Sequence, residues 1–129
     1  MIKIFIILCM LFCHIVDDYY LQGILLASMK QKAWWKKQNN FNSLYKYDYI
    51  MALCEHAFSW TFMIFLPLFI AHFFGIQLNE KLIIALFAFN WGIHIIIDDL
   101  KANELKINLI IDQLIHIGQV IITGILLIR

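Results

Sequence analysis

Three times in this chain a histidine and an aspartate stand four residues apart, at His14/Asp18, His94/Asp98 and Asp112/His116, each time inside an apolar stretch. A fourth histidine, His56, lies in another apolar stretch. Residues four apart stack on one face of a helix, so each pair can present an imidazole nitrogen and a carboxylate oxygen to one point. Together these four imidazoles and three carboxylates are a borderline-to-hard ligand set. It suits Zn²⁺ first, then Fe²⁺ or Mn²⁺, better than the oxygen-only Ca²⁺ and Mg²⁺. The expected cofactor is one or two divalent transition-metal ions, held by His14, Asp18, His56, His94, Asp98, Asp112 and His116. Seven donors exceed the need of one tetrahedral ion, and two ions sharing a bridging aspartate would use them all. Such a pair clamps the attacking and leaving oxygens of a hydrolysis and lowers the pKa of bound water.

Other polar groups flank these pairs. Gln113 follows Asp112, and Gln22 is one turn beyond Asp18, so either can hydrogen-bond a ligand and fix its orientation. Asp17, Asp99 and Glu55 each neighbour an expected ligand and so point about 100° away on a helix. They read as interfacial or supporting groups, with Glu55 a candidate general base. Lys101, three residues past Asp98, is the other candidate catalytic group. Lys30 and Lys101 are the candidate substrate-binding cations, placed to receive an anionic group such as phosphate. His72 lies toward the opposite face and is assigned nothing. The three cysteines, Cys9, Cys13 and Cys54, are an odd number without framework spacing, so no disulfide is expected.

These residues need a frame, and composition indicates which. Of 129 residues, 63% are hydrophobic and 15% charged, with one proline and five glycines. A soluble domain is nearer half apolar and a quarter charged. The expectation is an all-α polytopic membrane protein, a single four-helix transmembrane bundle over 1–129. Its helices fall at about 2–29, 49–74, 82–100 and 106–128. The segment 30–48 is an interfacial connection, in which Trp34 and Trp35 stand among Lys32, Lys36 and Lys37, followed by a turn at Asn39, Asn40 and Asn42. Pro67 predicts a kink in the second helix. The first residues have the charge and apolar run of a signal peptide, but no small-x-small cleavage site follows, and the segment is expected to be retained. The net charge of +1, without a basic helix or Gly-rich phosphate loop, gives no indication of nucleic-acid binding.

Lysine bias sets the orientation. Lys30, Lys32, Lys36, Lys37, Lys46, Lys101 and Lys106 fall in the first and third connections, against Lys3, Lys81 and Arg129 on the other side. The expected location is the bacterial inner membrane with both termini outside the cytoplasm. A rise of about 1.5 Å per residue then puts all seven donors in the cytoplasmic half of the bilayer, aspartates shallow and histidines deep. Cofactor sites of bundles are built from facing helices, so the donors should converge on one site.

The segments His14-Ile-Val-Asp-Asp18-Tyr-Tyr-Leu-Gln22, His94-Ile-Ile-Ile-Asp98-Asp-Leu-Lys101 and Asp112-Gln113-Leu-Ile-His116 resemble the signature of a family of small bacterial and phage-borne four-helix membrane proteins. That family carries only a domain-of-unknown-function label. The resemblance covers nearly the whole chain and extends to His56 and Lys30. It implies a fold and a set of site positions, not a reaction. More distantly, the pattern is similar to that of membrane-bound metal-dependent hydrolases with His/Asp pairs on their helices.

The expected function is therefore a membrane-embedded hydrolase, acting on a phosphoester or other ester reached from the cytoplasmic interface. The expected partners are the lipid bilayer, a lipid or amphipathic phosphorylated substrate, and no nucleic acid. The alternatives are a proton- or ion-coupled transporter or channel subunit using the His/Asp ring, which would require a homo-oligomer, or a metal-stabilised structural protein.

Overall fold

The computed structural model describes residues 1–38 and 43–129. Its elements are α1 (Ile2–Val16), a π-helical turn (Asp17–Leu21), α2 (Gly23–Met29), α3 (Lys32–Gln38), a 3-10 turn (Ser43–Tyr45), α4 (Asp48–Phe73), α5 (Glu80–Ala102) and α6 (Leu109–Leu127). The described residues form six α-helices and no strand beyond one isolated bridge, Leu78 to Ile128. Four helical stretches are long and apolar enough to cross a membrane: Ile2–Leu21, Ser43–Phe73, Glu80–Ala102 and Leu109–Leu127. The expected turn at Asn39, Asn40 and Asn42 lies outside the described residues.

The four long helices form a ring in which α1 packs on α4, α4 on α5, α5 on α6 and α6 on α1. Each turns one stripe inward, and the stripes explain the packing. In α1 it is Ile6, Met10 and His14, continued by Asp17; in α5 it is Asn90, His94 and Asp98; in α6 it is Asp112, His116, Val120, Gly124 and Leu127. These spacings of three or four keep one face turned to the bundle axis. The outward faces carry large exposed apolar side chains such as Phe5, Phe12, Phe62, Ile96, Leu114 and Ile122. The interior therefore has two layers. One end is apolar, built from Ile6, Met10, Ile64, Phe65, Leu68, Val120 and Leu127. The other end is polar and holds His14, Asp17, Asp18, His56, His94, Asp98, Asp112 and His116, all buried or nearly so.

The first expected helix, 2–29, is broken rather than continuous. The Gln22 amide donates to the Asp17 carbonyl at 2.9 Å, closing a wide π turn. Gly23 then takes φ +63°, a left-handed conformation that glycine adopts without the Cβ penalty. The chain turns there and carries α2 to the end of α5. Asn103 anchors that return: its Nδ2 donates to the Lys30 carbonyl at 3.0 Å, and its Oδ1 accepts from the Lys32 amide at 2.7 Å. The other three helices lie within three residues of their expected bounds. The α4 helix continues through Pro67 without interruption. Asn108 caps α6 by accepting from the Ile111 amide at 2.9 Å.

Candidate metal centre

Asp98 stands at the middle of the polar layer. Its Oδ2 lies 3.6 Å from His56 Nε2 and 3.7 Å from His94 Nε2, and its Oδ1 lies 3.6 Å from His116 Nε2. Asp18 Oδ1 faces His56 Nε2 at 3.4 Å, and Asp112 Oδ1 faces His116 Nε2 at 3.4 Å. Each of the three imidazoles belongs to a different arc of the ring of helices. The spacing of the inward stripes alone is enough to bring them together.

Several of these atoms have no hydrogen-bond partner although they are fully buried: Asp18 Oδ1, Asp112 Oδ1, His116 Nε2 and both nitrogens of His94. Buried polar groups left unpaired are costly, so a convergent set of them points to a missing partner. Ligand atoms about 2.0–2.2 Å from a tetrahedral ion stand about 3.3–3.6 Å apart. The separations of 3.4 to 3.7 Å match that edge length. Two overlapping triads, Asp18–His56–His94 and His94–Asp98–His116, each bring three donor atoms within 4.8 Å of one another. The residues present therefore fit a divalent transition-metal ion, with Asp98 placed to bridge if there are two.

The surrounding hydrogen bonds fix which nitrogen each ring offers. His116 Nδ1 donates to Gln119 Oε1 at 3.0 Å, because the Gln119 amide NH₂ already points at Asn90, 3.2 Å from its Oδ1. Asn90 in turn donates to Thr123 Oγ1 at 2.8 Å. With Nδ1 protonated, His116 Nε2 carries the lone pair aimed at Asp98 and Asp112. On the opposite side Asp17 Oδ2 faces His56 Nδ1 at 3.5 Å, while Ser59 donates to Asp17 Oδ1 at 2.6 Å. At that distance neither Asp17 Oδ2 nor His56 Nδ1 has a hydrogen-bond partner, so the carboxylate faces the ring without fixing it as Gln119 fixes His116. Trp60 forms the floor: its indole stacks on His94 at 4.2 Å, and His94 stacks on His116 at 4.1 Å.

Among the expected ligands, His14 is placed differently from the rest. Its Nδ1 accepts from Trp60 Nε1 at 2.8 Å and its Nε2 donates to Gln113 Oε1 at 3.2 Å. Both ring nitrogens are engaged, so His14 props Trp60 and Gln113 instead of offering a lone pair. Gln113 passes this on, donating from Nε2 to Asp18 Oδ2 and Asp112 Oδ2, both at 3.1 Å. Gln22, with its amide oriented to satisfy both neighbours, donates to the Asp18 carbonyl at 3.2 Å and accepts from Lys30 Nζ at 2.6 Å.

The two expected substrate-binding lysines are ion-paired. Lys30 Nζ is 2.5 Å from Asp98 Oδ2 and buried; Lys101 Nζ is 2.6 Å from Asp112 Oδ2 and about one-third exposed. Both line a small polar cavity of about 70 Å³ that also touches Asp18, His56 and Gln113. This cavity leads from the surface to the donor cluster. Glu55 does not reach the site. It is exposed on the outer face of α4, one residue from His56 but turned away, so it is not placed to act as the expected base. Asp99 is likewise outside, near Asn103 and Lys32. His72 is exposed beside Glu80, remote from the centre.

Asp17, expected as an interfacial or supporting group, is buried beside His56. Ser59, Trp60, Asn90, Gln119 and Asn103 are supporting residues not expected from the sequence, although Trp60 is four residues from His56, Asn90 four from His94 and Gln119 three from His116. Comparisons with protein-family profiles, curated proteins and solved structures returned nothing that matches this chain.

Proposed function

We propose that this chain is an integral membrane protein of the bacterial inner membrane, both termini outside the cytoplasm, and a metal-dependent hydrolase of phosphoester or other ester bonds. The observation that carries the reading is the convergence of buried Nε2 and carboxylate atoms at 3.4 to 3.7 Å, with Asp18 Oδ1, Asp112 Oδ1, His94 Nε2 and His116 Nε2 lacking a hydrogen-bond partner. A divalent ion, most simply Zn²⁺ with Fe²⁺ or Mn²⁺ as substitutes, would be held by His56, His94, His116, Asp18, Asp98 and Asp112. When bound, it would supply Lewis-acid polarisation of an ester oxygen and activation of water.

The chain's own residues supply the rest. Gln119 orients the His116 ring, Asp17 places a carboxylate behind His56, Trp60 excludes water from below, and Lys30 and Lys101 hold positive charge at the mouth of the cavity. Lys101 is the more exposed of the two and can turn from Asp112 toward an anionic substrate entering from the interface. The small mouth favours a substrate whose ester group reaches in while its apolar part stays among the exposed side chains of the helices.

The apolar layer favours hydrolysis over ion conduction. Ile64, Phe65, Leu68, Val120 and Leu127 form an apolar cluster on the side of the bundle away from the aspartates. A transporter would need a polar path through the other half.

The test is elemental analysis of protein purified in detergent without chelator, together with hydrolysis of a chromogenic phosphoester and of a phospholipid. The reading expects bound transition metal, with turnover lost in His116→Ala and on chelation. Absence of metal, with no response of stability or turnover to added Zn²⁺, Mn²⁺ or Fe²⁺, overturns it.

A further inference from the structure

A second cavity, of about 440 Å³, lies between α3 and the start of α4, outside the metal centre. Its size is that of ordinary small-ligand pockets. Trp35 and Tyr45 form one wall, stacked at 6.1 Å with an interplanar angle of 11°. Trp35 is held in place by its Nε1 donating to the Met29 carbonyl at 2.8 Å. Lys32 sits over the Tyr49 ring at 4.8 Å, and Lys36 and Lys46 also line the groove.

The charge of this groove is one-sided. From residue 30 to residue 47 the sequence contains five lysines and no aspartate or glutamate. Lys32 shares two acids, Asp99 at 3.9 Å and Glu104 at 3.5 Å. Lys36 and Lys46 are exposed and have no carboxylate partner among the described residues. Asp48 opens α4 but does not line the groove. A cavity walled by flat aromatic rings and rimmed by ammonium groups, with Lys46 lying over the Tyr47 ring at 5.1 Å, matches an anionic headgroup with an apolar body. Tryptophan and tyrosine sit where headgroups meet acyl chains, and juxtamembrane lysines attract anionic lipid.

We propose that this groove binds the phosphate of an anionic phospholipid headgroup, and so seats the protein on the lysine-rich face of the membrane. The proposal rests on the membrane placement proposed above and is independent of the metal. The groove lies on the other side of the Lys30–Lys32 junction from the cavity that reaches Asp98. Lipid held here would stand beside the mouth of the metal centre without entering it.

The test is native mass spectrometry of the detergent-purified full chain with equimolar phosphatidylglycerol and phosphatidylcholine. The Lys36→Gln/Lys46→Gln double variant is compared with Lys81→Gln, whose exposed lysine lies at the opposite end of the bundle. The wild type should retain phosphatidylglycerol with about 25-fold preference, at roughly fivefold for each of Lys36 and Lys46. That preference should fall to about twofold or less in the double variant and persist in Lys81→Gln and in chelator. Equal retention of the two lipids overturns the proposal. So does a preference that survives the double variant. Displacement by millimolar inorganic phosphate also overturns it, because the groove would then be a free-anion site. Carbonate extraction of membranes reports separately on membrane placement, and the chelator arm separates failure here from failure of the metal reading.

Discussion

At the scale of single residues, the donor atoms depend on what stands behind them. His116 offers Nε2 because Gln119 Oε1 accepts a hydrogen bond from its Nδ1–H, and Gln119 presents that oxygen because Asn90 engages its amide NH₂. Gln119→Leu removes the acceptor at little change in volume, so the ring loses its tautomer and its fixed plane. The expected result is metal affinity weaker by about 10–100-fold, as for other partners of ligating histidines. Competition against a chromophoric chelator measures it, and an unchanged affinity would remove Gln119 from the account. The same logic separates His14 from the other histidines: His14→Gln should disturb the packing around Trp60 more than it lowers metal content, read as a lower melting temperature with retained metal. The His/Asp pairs were legible in the sequence because a period of four is a property of one helix. The exemption of His14 was not. It depends on the Trp60 indole and the Gln113 amide reaching it from two other helices.

At the scale of elements, two backbone features set where the stripes meet. The first is the close crossing of α1 and α6. A Cβ built at Gly124 would stand 2.6 Å from Ile7 Cγ1 and 3.4 Å from Met10 Sδ. Small residues at such crossings let helix backbones approach, and overpacking there costs about 1–3 kcal/mol. Gly124→Val should therefore lower the melting temperature of the detergent-solubilised protein, and Ile7→Ala in the same chain should restore part of it. If the double variant is no better than the additive sum of the singles, α1 and α6 are not in the contact described. The second feature is the π turn with Gly23, which ends the first long helical stretch and swings Lys30 over Asp98. Gly23→Ala meets no atom within 4 Å, so its cost is conformational alone, about 1 kcal/mol. Four long apolar segments could be read from hydropathy, and three of them have nearly the expected bounds. The break near Gly23 could not, since residues 2–29 stay predominantly apolar on both sides of it. What interrupts the helix there is one backbone conformation and the clasp of Asn103, a contact across more than seventy residues.

At the scale of the whole molecule, charge balance across the bundle argues for the ion independently of donor geometry. Four aspartates, Asp17, Asp18, Asp98 and Asp112, are buried or nearly so at one end of the interior. Asp98 has Lys30 and Asp112 has Lys101, but neither Asp17 nor Asp18 faces a lysine within ion-pair distance. With neutral imidazoles this leaves two formal negative charges, adjacent in sequence, in a layer walled by Trp60 and apolar side chains. Uncompensated charge in such surroundings is strongly unfavourable, and one divalent cation cancels it. Two expectations follow from the same deficit. Chelation should lower the melting temperature of the wild type, because an ion at 100 times its dissociation constant stabilises by about 2.7 kcal/mol. The double variant Asp17→Asn/Asp18→Asn, which removes both charges at nearly constant volume, should be at least as stable as chelated wild type and should no longer respond to chelator. Thermal unfolding in detergent, with and without chelator, measures both. If the wild type melts at the same temperature in either condition, the interior does not need the ion. If the double variant still loses stability on chelation, the ion is held by His94, Asp98 and His116 without help from the Asp17–Asp18 corner, and the electrostatic argument fails even where the ligand geometry stands.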